Sequence, residues 1–267
     1  MADEQPFIAA VRAYGSQRVA DWIAGHPTTT TPPPTTTPPP PTTSPWLDKV
    51  RALGATHAYP FTTGTALADQ IGNVHATRTG TPLFGLDGVT FNGSSNLTLP
   101  DHPDFSVTTR DALTIVCDLT ILNWRGAGAS SYVHWMGKGA SGGHEWTFRH
   151  YVQGGSGEAA DRQGRVSFYH FNPAGGLGAG SYYQDSMDTN KHHVAATCDM
   201  ENIHWYKDGL HRDTDGLKPT YNVTPQDTGT RVCIGTRGDN TGFLIGRIAN
   251  LAFFPKVLTQ AQIASLR

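Results

Sequence analysis

The chain has 267 residues, 37% of them hydrophobic and only 16% charged, with a formal net charge of -2. That is enough apolar material for a sizeable core and too little positive charge for a nucleic-acid or acidic-membrane footprint, so neither partner is expected. The three cysteines are an odd count and read as small buried hydrophobes: Cys117, for instance, shares a strand face with Leu113, Ile115, Leu119 and Ile121.

The opening stretch MADEQPFIAAVRAYG lacks the basic start and apolar run of a signal peptide, and no stretch approaches a transmembrane span. Residues 1–25 instead space Phe7, Ile8, Val11, Tyr14, Trp22 and Ile23 as the apolar stripe of a short amphipathic anchoring helix, with Gly25 as its stop. A helix of that length is marginal alone in water, so the stripe needs a surface: a partner, a second copy in a homo-oligomer, or its own head. Residues 26–45 contain TTTTPPPTTTPPPPTTSP, whose prolines fix φ and remove donors, which predicts an extended stalk. At about 3.1 Å per residue its ends would stand roughly 50 Å apart.

From 46 to 267 the chain changes character. WLDKVRAL gives at most a short helical turn, and β-rich segments then recur between Gly, Asn, Asp and Pro: Val89–Phe91, Asn96–Leu99, Leu113–Leu122, Tyr132–Met136, Glu145–Val152, Arg165–Phe171, Arg231–Ile234 and Arg247–Phe254. Glycine-rich runs at 137–143, 154–157 and 175–180 read as mobile rim loops. The plainest stretch is Lys191–Leu210. Val194, Ala196 and Cys198 alternate against His193, Ala195 and Thr197, Asp199–Asn202 makes a turn, Ile203 and Trp205 alternate against His204 and Tyr206, and Asp208-Gly209 makes a second turn. Only Thr259–Leu266 reads as helix here, with Thr259 as N-cap and Gln262 at the capping-box position. With no helices for βαβ crossovers, the predicted fold is all-β, an antiparallel sandwich of two sheets.

HHVAATCD (192–199), WYKDG (205–209), RVCIG (231–235) and GRIANLAFFPKVLTQAQIASL (246–266) resemble the laminin-G-like, or concanavalin A-like, jelly-roll lectin family. AYPFTTGTALADQIGNVHATRTG (58–80) and VTFNGSSNLTLPDHPDFS (89–106) are similar to the family's opening strand and its Phe-Asp-Gly strand. The resemblance implies a jelly roll over roughly residues 55–267 and calcium at a rim. Oxygen-rich turns then make Asp69, Asn73, Asp239 and Asn240 the candidate calcium ligands, unless those side chains cap their own turns. No other cofactor is called for. Ala249-Asn250 departs from the family pattern, which has Ile-Asp there.

The resembling superfamily also includes glucanases, which need Glu-x-Asp followed closely by a second Glu. Glu4, Glu145, Glu158 and Glu201 stand in no such motif, and no Gly-x-Ser-x-Gly elbow precedes a helix, so the chain is not expected to be an enzyme. Among twelve histidines, His192 and His193 face opposite sides of a strand and His204 and His211 lack an i+2 partner, so no transition-metal site is predicted. Sugar binding needs aromatic faces and a few oriented polar groups. Trp146 and Phe148 are assigned to the core, which leaves Arg149, Tyr151 and Tyr169 on the solvent face as a glycan platform.

A small helix, a stalk and a lectin head without a secretion signal resemble minor tail, fibre or capsid-decoration proteins of bacteriophages. That implies synthesis in the host cytoplasm, display on the virion surface, docking to other virion proteins through the helix, and contact of the head with cell-surface polysaccharide. The competing readings are a carbohydrate-binding module of a bacterial surface protein or glycoside hydrolase, and a purely structural decoration.

Overall fold

Alternation of apolar and polar residues sorts the chain into strands whose odd and even positions belong to different layers. In a computed structural model, the described residues are 44–126, 131–140, 143–156, 160–172, 175–180, 188–217 and 223–267. The anchoring helix expected over 1–25, with Phe7, Ile8, Val11, Tyr14, Trp22 and Ile23, lies outside them, as does the stalk expected over 26–45 up to residue 43; its last position, Pro45, instead opens a helix.

The first strands are β1 (His57–Tyr59), β2 (Thr77–Thr79), β3 (Leu83–Gly85), β4 (Gly88–Asn92), β5 (Asn96–Leu99) and β6 (Ala112–Ile121). They are followed by β7 (Tyr132–Lys138), β8 (Trp146–Tyr151), β9 (Val166–Asn172), β10 (Gly175–Ala179) and β11 (His192–Asp199). The last are β12 (Asn202–Lys207), β13 (Leu210–Gly216), β14 (Val232–Ile234) and β15 (Ile245–Phe254). Helix α1 (Pro45–Ala52) precedes them and α2 (Gln260–Ser265) follows. The first sheet runs β13-β12-β11-β6-β15-β4-β3, with β1 also paired to β15, and the second runs β10-β9-β8-β7-β14-β5-β2. Every pairing is antiparallel. The all-β two-sheet sandwich read from the sequence is the fold.

The Lys191–Leu210 hairpin forms as its alternation requires. Val194 pairs with Lys207 and Cys198 with Ile203, and Asp199 Oδ1 accepts the N–H groups of Glu201 and Asn202 to hold the turn. Asp208 and Gly209 both have positive φ, 54° and 76°, which is the two-residue turn whose twist suits adjacent strands. Thr259 and Gln262 form the expected capping box on α2.

Three local readings change. Residues 175–179, read as a loop, form strand β10 on the edge of the second sheet, and the polar segment HRDTDG lies in β13 on the edge of the first. WLDKVRAL forms two turns of helix rather than one. The strands of the central hairpin are buried on both faces rather than half-buried. Val194, Ala196, Cys198, Ile203 and Trp205 meet Trp135, Phe148 and Phe168 of the second sheet between the layers. On the other side Ala195 and Tyr206 join Val116, Ala252 and Phe254 beneath Trp46, Leu47 and Val50 of α1 and Ile263 of α2. All three cysteines are buried and free.

The core also holds ionisable groups. Lys138 is wholly buried in an ion pair with Glu145, flanked by Asp101 at 2.8 Å and Asp227 at 3.5 Å. Glu145 in turn accepts the Thr228 N–H and the Ser106 hydroxyl, so one carboxylate ties β7 to two loops. His150 and His170 are both buried, and burial pushes each down to about 3. His150 packs edge-on against Trp124, with ring centroids 5.2 Å apart.

Between about pH 3 and the unfolded histidine value near 6.5 the unfolded chain therefore binds more protons than the native one, so stability rises with pH across that window. The contribution of each ring is complete above about 6.5 and is lost as pH falls toward 3. Urea midpoints measured from pH 4 to 7 should climb, and His150→Leu should flatten the climb. A slope unchanged by the substitution would show that the ring is not buried neutral.

Candidate functional site

On β8 and β9 the residues that face away from the core are Thr147, Arg149 and Tyr151, and Ser167, Tyr169 and Phe171. β7 adds Tyr132 and His134 beside them, since Tyr132 pairs with Tyr151, His134 with Arg149, and Arg149 with Ser167. Three neighbouring strands thus project their rings from the same face of the sheet.

Arg149 is the hub of this face. Its guanidinium carbon lies 3.7 Å from the Tyr169 ring centre, 4.3 Å from that of Tyr132 and 5.0 Å from that of Tyr151. Its Nη2 donates to the Tyr151 hydroxyl at 2.8 Å, and that hydroxyl shares a 2.9 Å hydrogen bond with the Tyr169 hydroxyl. Phe171 stacks on Tyr169 at 5.9 Å, His144 lies against Phe171 at 4.7 Å, and Tyr132 meets His134 edge-on at 5.4 Å.

The structure therefore brings Arg149, Tyr151 and Tyr169 together on the predicted face but corrects their exposure. Tyr151 is 0% exposed and Tyr169 8% exposed, so they form the floor of the patch rather than an open platform. The half-exposed groups are Arg149, Tyr132, Phe171 and His144. Sequence reasoning passed over Tyr132 because its strand was read alone, without the register that sets it opposite Tyr151. Trp146 and Phe148 are core residues, as assigned.

Asp69, Asn73, Asp239 and Asn240 are the residues expected to ligate calcium. Asp69 is buried, and its oxygens accept the N–H groups of Ala58, Ile71, Gly72 and Val74 and face the His57 ring. Burial alone would raise this carboxyl, but the bonds from His57, Ala58 and Ile71 hold it below the usual range. With five donors around two oxygens, Asp69 shapes its own turn, and Asn73 is exposed beside it. Asp239 is clasped by Arg237, which lowers its carboxyl, and also accepts from the Thr241 hydroxyl; Asn240 Oδ1 accepts from Asn96 at 3.2 Å.

One acid pair escaped sequence reasoning. Asp213 and Asp215 lie two apart on β13, and burial together with the Asp213 charge pushes Asp215 up to about 6. Asp213 Oδ2 accepts the Gly180 N–H at 2.6 Å, however, so it clips the end of the second sheet to the edge of the first.

Residues 91–264 match the family model described as the concanavalin A-like lectin/glucanases superfamily. The chain belongs to that superfamily. Solved structures share its fold at low identity. Domain 4 of AbnA, a GH43 extracellular arabinanase from Geobacillus stearothermophilus solved in complex with arabinotriose, superposes with a TM-score of 0.58 at 17% identity over 79% of this chain and 97% of that one. The botulinum neurotoxin serotype D ligand-binding domain, solved with N-acetylneuraminic acid, gives 0.59 at 10% identity over 79% of this chain and 50% of the other. The serotype C1 binding domain gives 0.58 at 15% identity, covering 80% and 52%. The chain thus spans about half the length of the toxin domains it matches. No curated protein matches the sequence.

Within this superfamily fold, Asn250 has a local explanation. It sits at the irregularity of β15 with φ of 50°, a conformation Asn tolerates better than most residues, and its Nδ2 donates to Asp118 Oδ2 at 2.9 Å. Asp118 also meets His193 Nδ1 at 3.1 Å and Lys191 at 3.3 Å. Burial works against its charge, but His193, Lys191 and Asn250 together hold the carboxyl low. These groups line a cleft of about 370 Å³ between α1 and the first sheet.

An aspartate at 250 would set a second carboxylate against Asp118. Asn250→Asp should cost about 1–3 kcal/mol at neutral pH, read as a lower urea midpoint, with the deficit shrinking as acid protonates the new pair. An equal deficit at every pH would show that the lost contact is not electrostatic.

Proposed function

We propose that this chain is a non-enzymatic carbohydrate-binding protein whose glycan lies on the outer face of the second sheet. The observation that carries the reading is the Arg149 hub: a half-exposed cation framed by Tyr132, Tyr151 and Tyr169, with Phe171 extending the aromatic row. Aromatic faces pack on pyranose rings and a fixed guanidinium donates to hydroxyl or carboxylate oxygens, so the patch offers both kinds of contact. The complexes of fold neighbours with arabinotriose and N-acetylneuraminic acid support an oligosaccharide as ligand class. The non-catalytic reading is supported by Glu145, which is held in a buried ion pair with Lys138.

A glycan array probed with the full chain, including arabino-oligosaccharides and sialylated glycans, should yield a binding class. Arg149→Ala and Tyr132→Ala should each weaken it by roughly tenfold, the size of one lost charge-assisted or stacking contact. Binding that survives both substitutions would move the site elsewhere.

We further infer that the head is displayed on a virion and held there by residues 1–25 through the Thr/Pro stalk, so that its glycan is a cell-surface polysaccharide. The support is the order of an amphipathic stripe, a proline-rich spacer and a lectin-type head in the sequence. Purified particles should contain the chain, and deletion of residues 1–26 should remove it from them while leaving a soluble, folded head. Normal incorporation of the truncated chain would end the anchoring role.

A further inference from the structure

We propose that His57, His102 and Asp104 form a binding site for a divalent transition metal, with zinc as the best-suited ion. The three side chains come from β1 and from the 3-10 turn Pro103–Phe105 that His102 precedes, segments far apart in sequence. His57 Nε2 lies 3.3 Å from His102 Nδ1 and 3.6 Å from Asp104 Oδ2, and the last two atoms are 3.8 Å apart. Donors about 2.0–2.2 Å from a tetrahedral zinc sit roughly 3.3–3.6 Å from one another, so the three atoms already approximate one face of that tetrahedron.

The hydrogen bonds around the cluster decide what can occupy its centre. His57 Nδ1 lies 2.7 Å from Asp69 Oδ2, inside the turn whose N–H groups hold that carboxylate. A proton on Nδ1 leaves the Nε2 lone pair aimed at the cluster, the arrangement by which a second carboxylate orients a metal-bound histidine. His102 Nδ1 accepts the Asp104 N–H at 3.2 Å, so it too presents a lone pair. With the Asp104 N–H and the proton shared between the two rings displaced, two imidazole lone pairs and a carboxylate oxygen converge, and a cation is what such a set of acceptors lacks. Binding exchanges the long Asp104 N–H contact for a coordinate bond.

Nitrogen-rich ligation favours zinc and its neighbours over calcium or magnesium. The His57 side chain is 3% exposed, whereas those of His102 and Asp104 are 34% and 14% exposed, so an ion can enter from that side and keep a water as fourth ligand. Phe105 packs against both rings, at 4.8 Å and 5.8 Å, and closes the opposite side. Gly72 is needed for the approach, because a Cβ there would fall 2.6 Å from His57 Nδ1 and 2.7 Å from Asp69 Oδ2. Among the described residues this is the one group of three or more His, Cys, Asp or Glu side chains with ligand atoms this close together.

The test uses the full chain, stripped with a chelator, dialysed and titrated with zinc chloride by calorimetry. One equivalent should bind, zinc should raise the melting temperature, and cobalt should give the visible bands of a tetrahedral nitrogen and oxygen site. His102→Ala, at a partly exposed position, and Asp104→Asn should each weaken binding at least about tenfold and abolish the thermal shift. His204→Ala, which breaks the His204–His211 ring contact, should change nothing. If zinc fails to bind, or binds His102→Ala as tightly as the parent, the site is refuted and His57 only bridges Asp69 and the turn at Asp104. Should either variant fail to fold, stoichiometry and the cobalt spectrum of the parent chain still decide the matter.

Discussion

Burial of β6, β11 and β15 on both faces is the constraint on which the remaining structure depends. On the inner side, Ile115, Cys117, Val194, Ala196 and Phe253 meet the second sheet; on the outer side, Val116, Ala195, Ala252 and Phe254 meet α1 and α2. An eight-residue helix has no independent stability, so α1 exists because Trp46, Leu47 and Val50 have a surface to cover. α1 in turn shields the apolar part of that surface and leaves the cleft beside Asp118 open. That mutual requirement also makes the Asp118 cluster necessary: a carboxylate on a face otherwise closed by helices keeps its charge only when His193, Lys191 and Asn250 surround it.

What was legible in the sequence was what local chemistry alone determines. The central hairpin could be read because period-two alternation and two Asp-containing turns lie within twenty contiguous residues, and the capping box of α2 because Thr259 and Gln262 are three apart. β10 was illegible because GGLGA has no alternation and becomes a strand only by pairing with β9, and β13 because its polar residues hide the pattern at a sheet edge. The side of the sheet that carries Arg149, Tyr151 and Tyr169 followed from alternation. The burial of Tyr151 and Tyr169 did not, since Tyr169 meets the Arg149 guanidinium and Tyr151 meets the Tyr132 ring only across paired strands. The His57 cluster is the extreme case, because no spacing rule links a residue on β1 to two in a turn at 102–104.

The same division explains the candidate calcium residues. Asp in a tight turn is equally suited to cap N–H groups and to bind a hard cation, and sequence cannot tell these apart. In the folded chain Ile71, Gly72 and Val74 curl their N–H groups around Asp69. A carboxylate so enclosed still has an outward influence. It fixes the orientation of His57 and thereby what His57 can offer to His102 and Asp104.

The two sheets consequently differ in what their outer faces are free to do. The first sheet spends much of its outer face on α1 and α2, and Asp118 there is paired with His193. No described helix covers the outer face of the second sheet, and its aromatic side chains are instead held upright by Arg149, itself only half-buried. A cation fixed among three rings loses little conformational freedom when a ligand arrives, so the cost of ordering the site is met during folding rather than binding. Rigidity of this kind suits recognition of a weakly interacting surface such as a sugar, where each contact is small and none can be wasted on immobilising the protein.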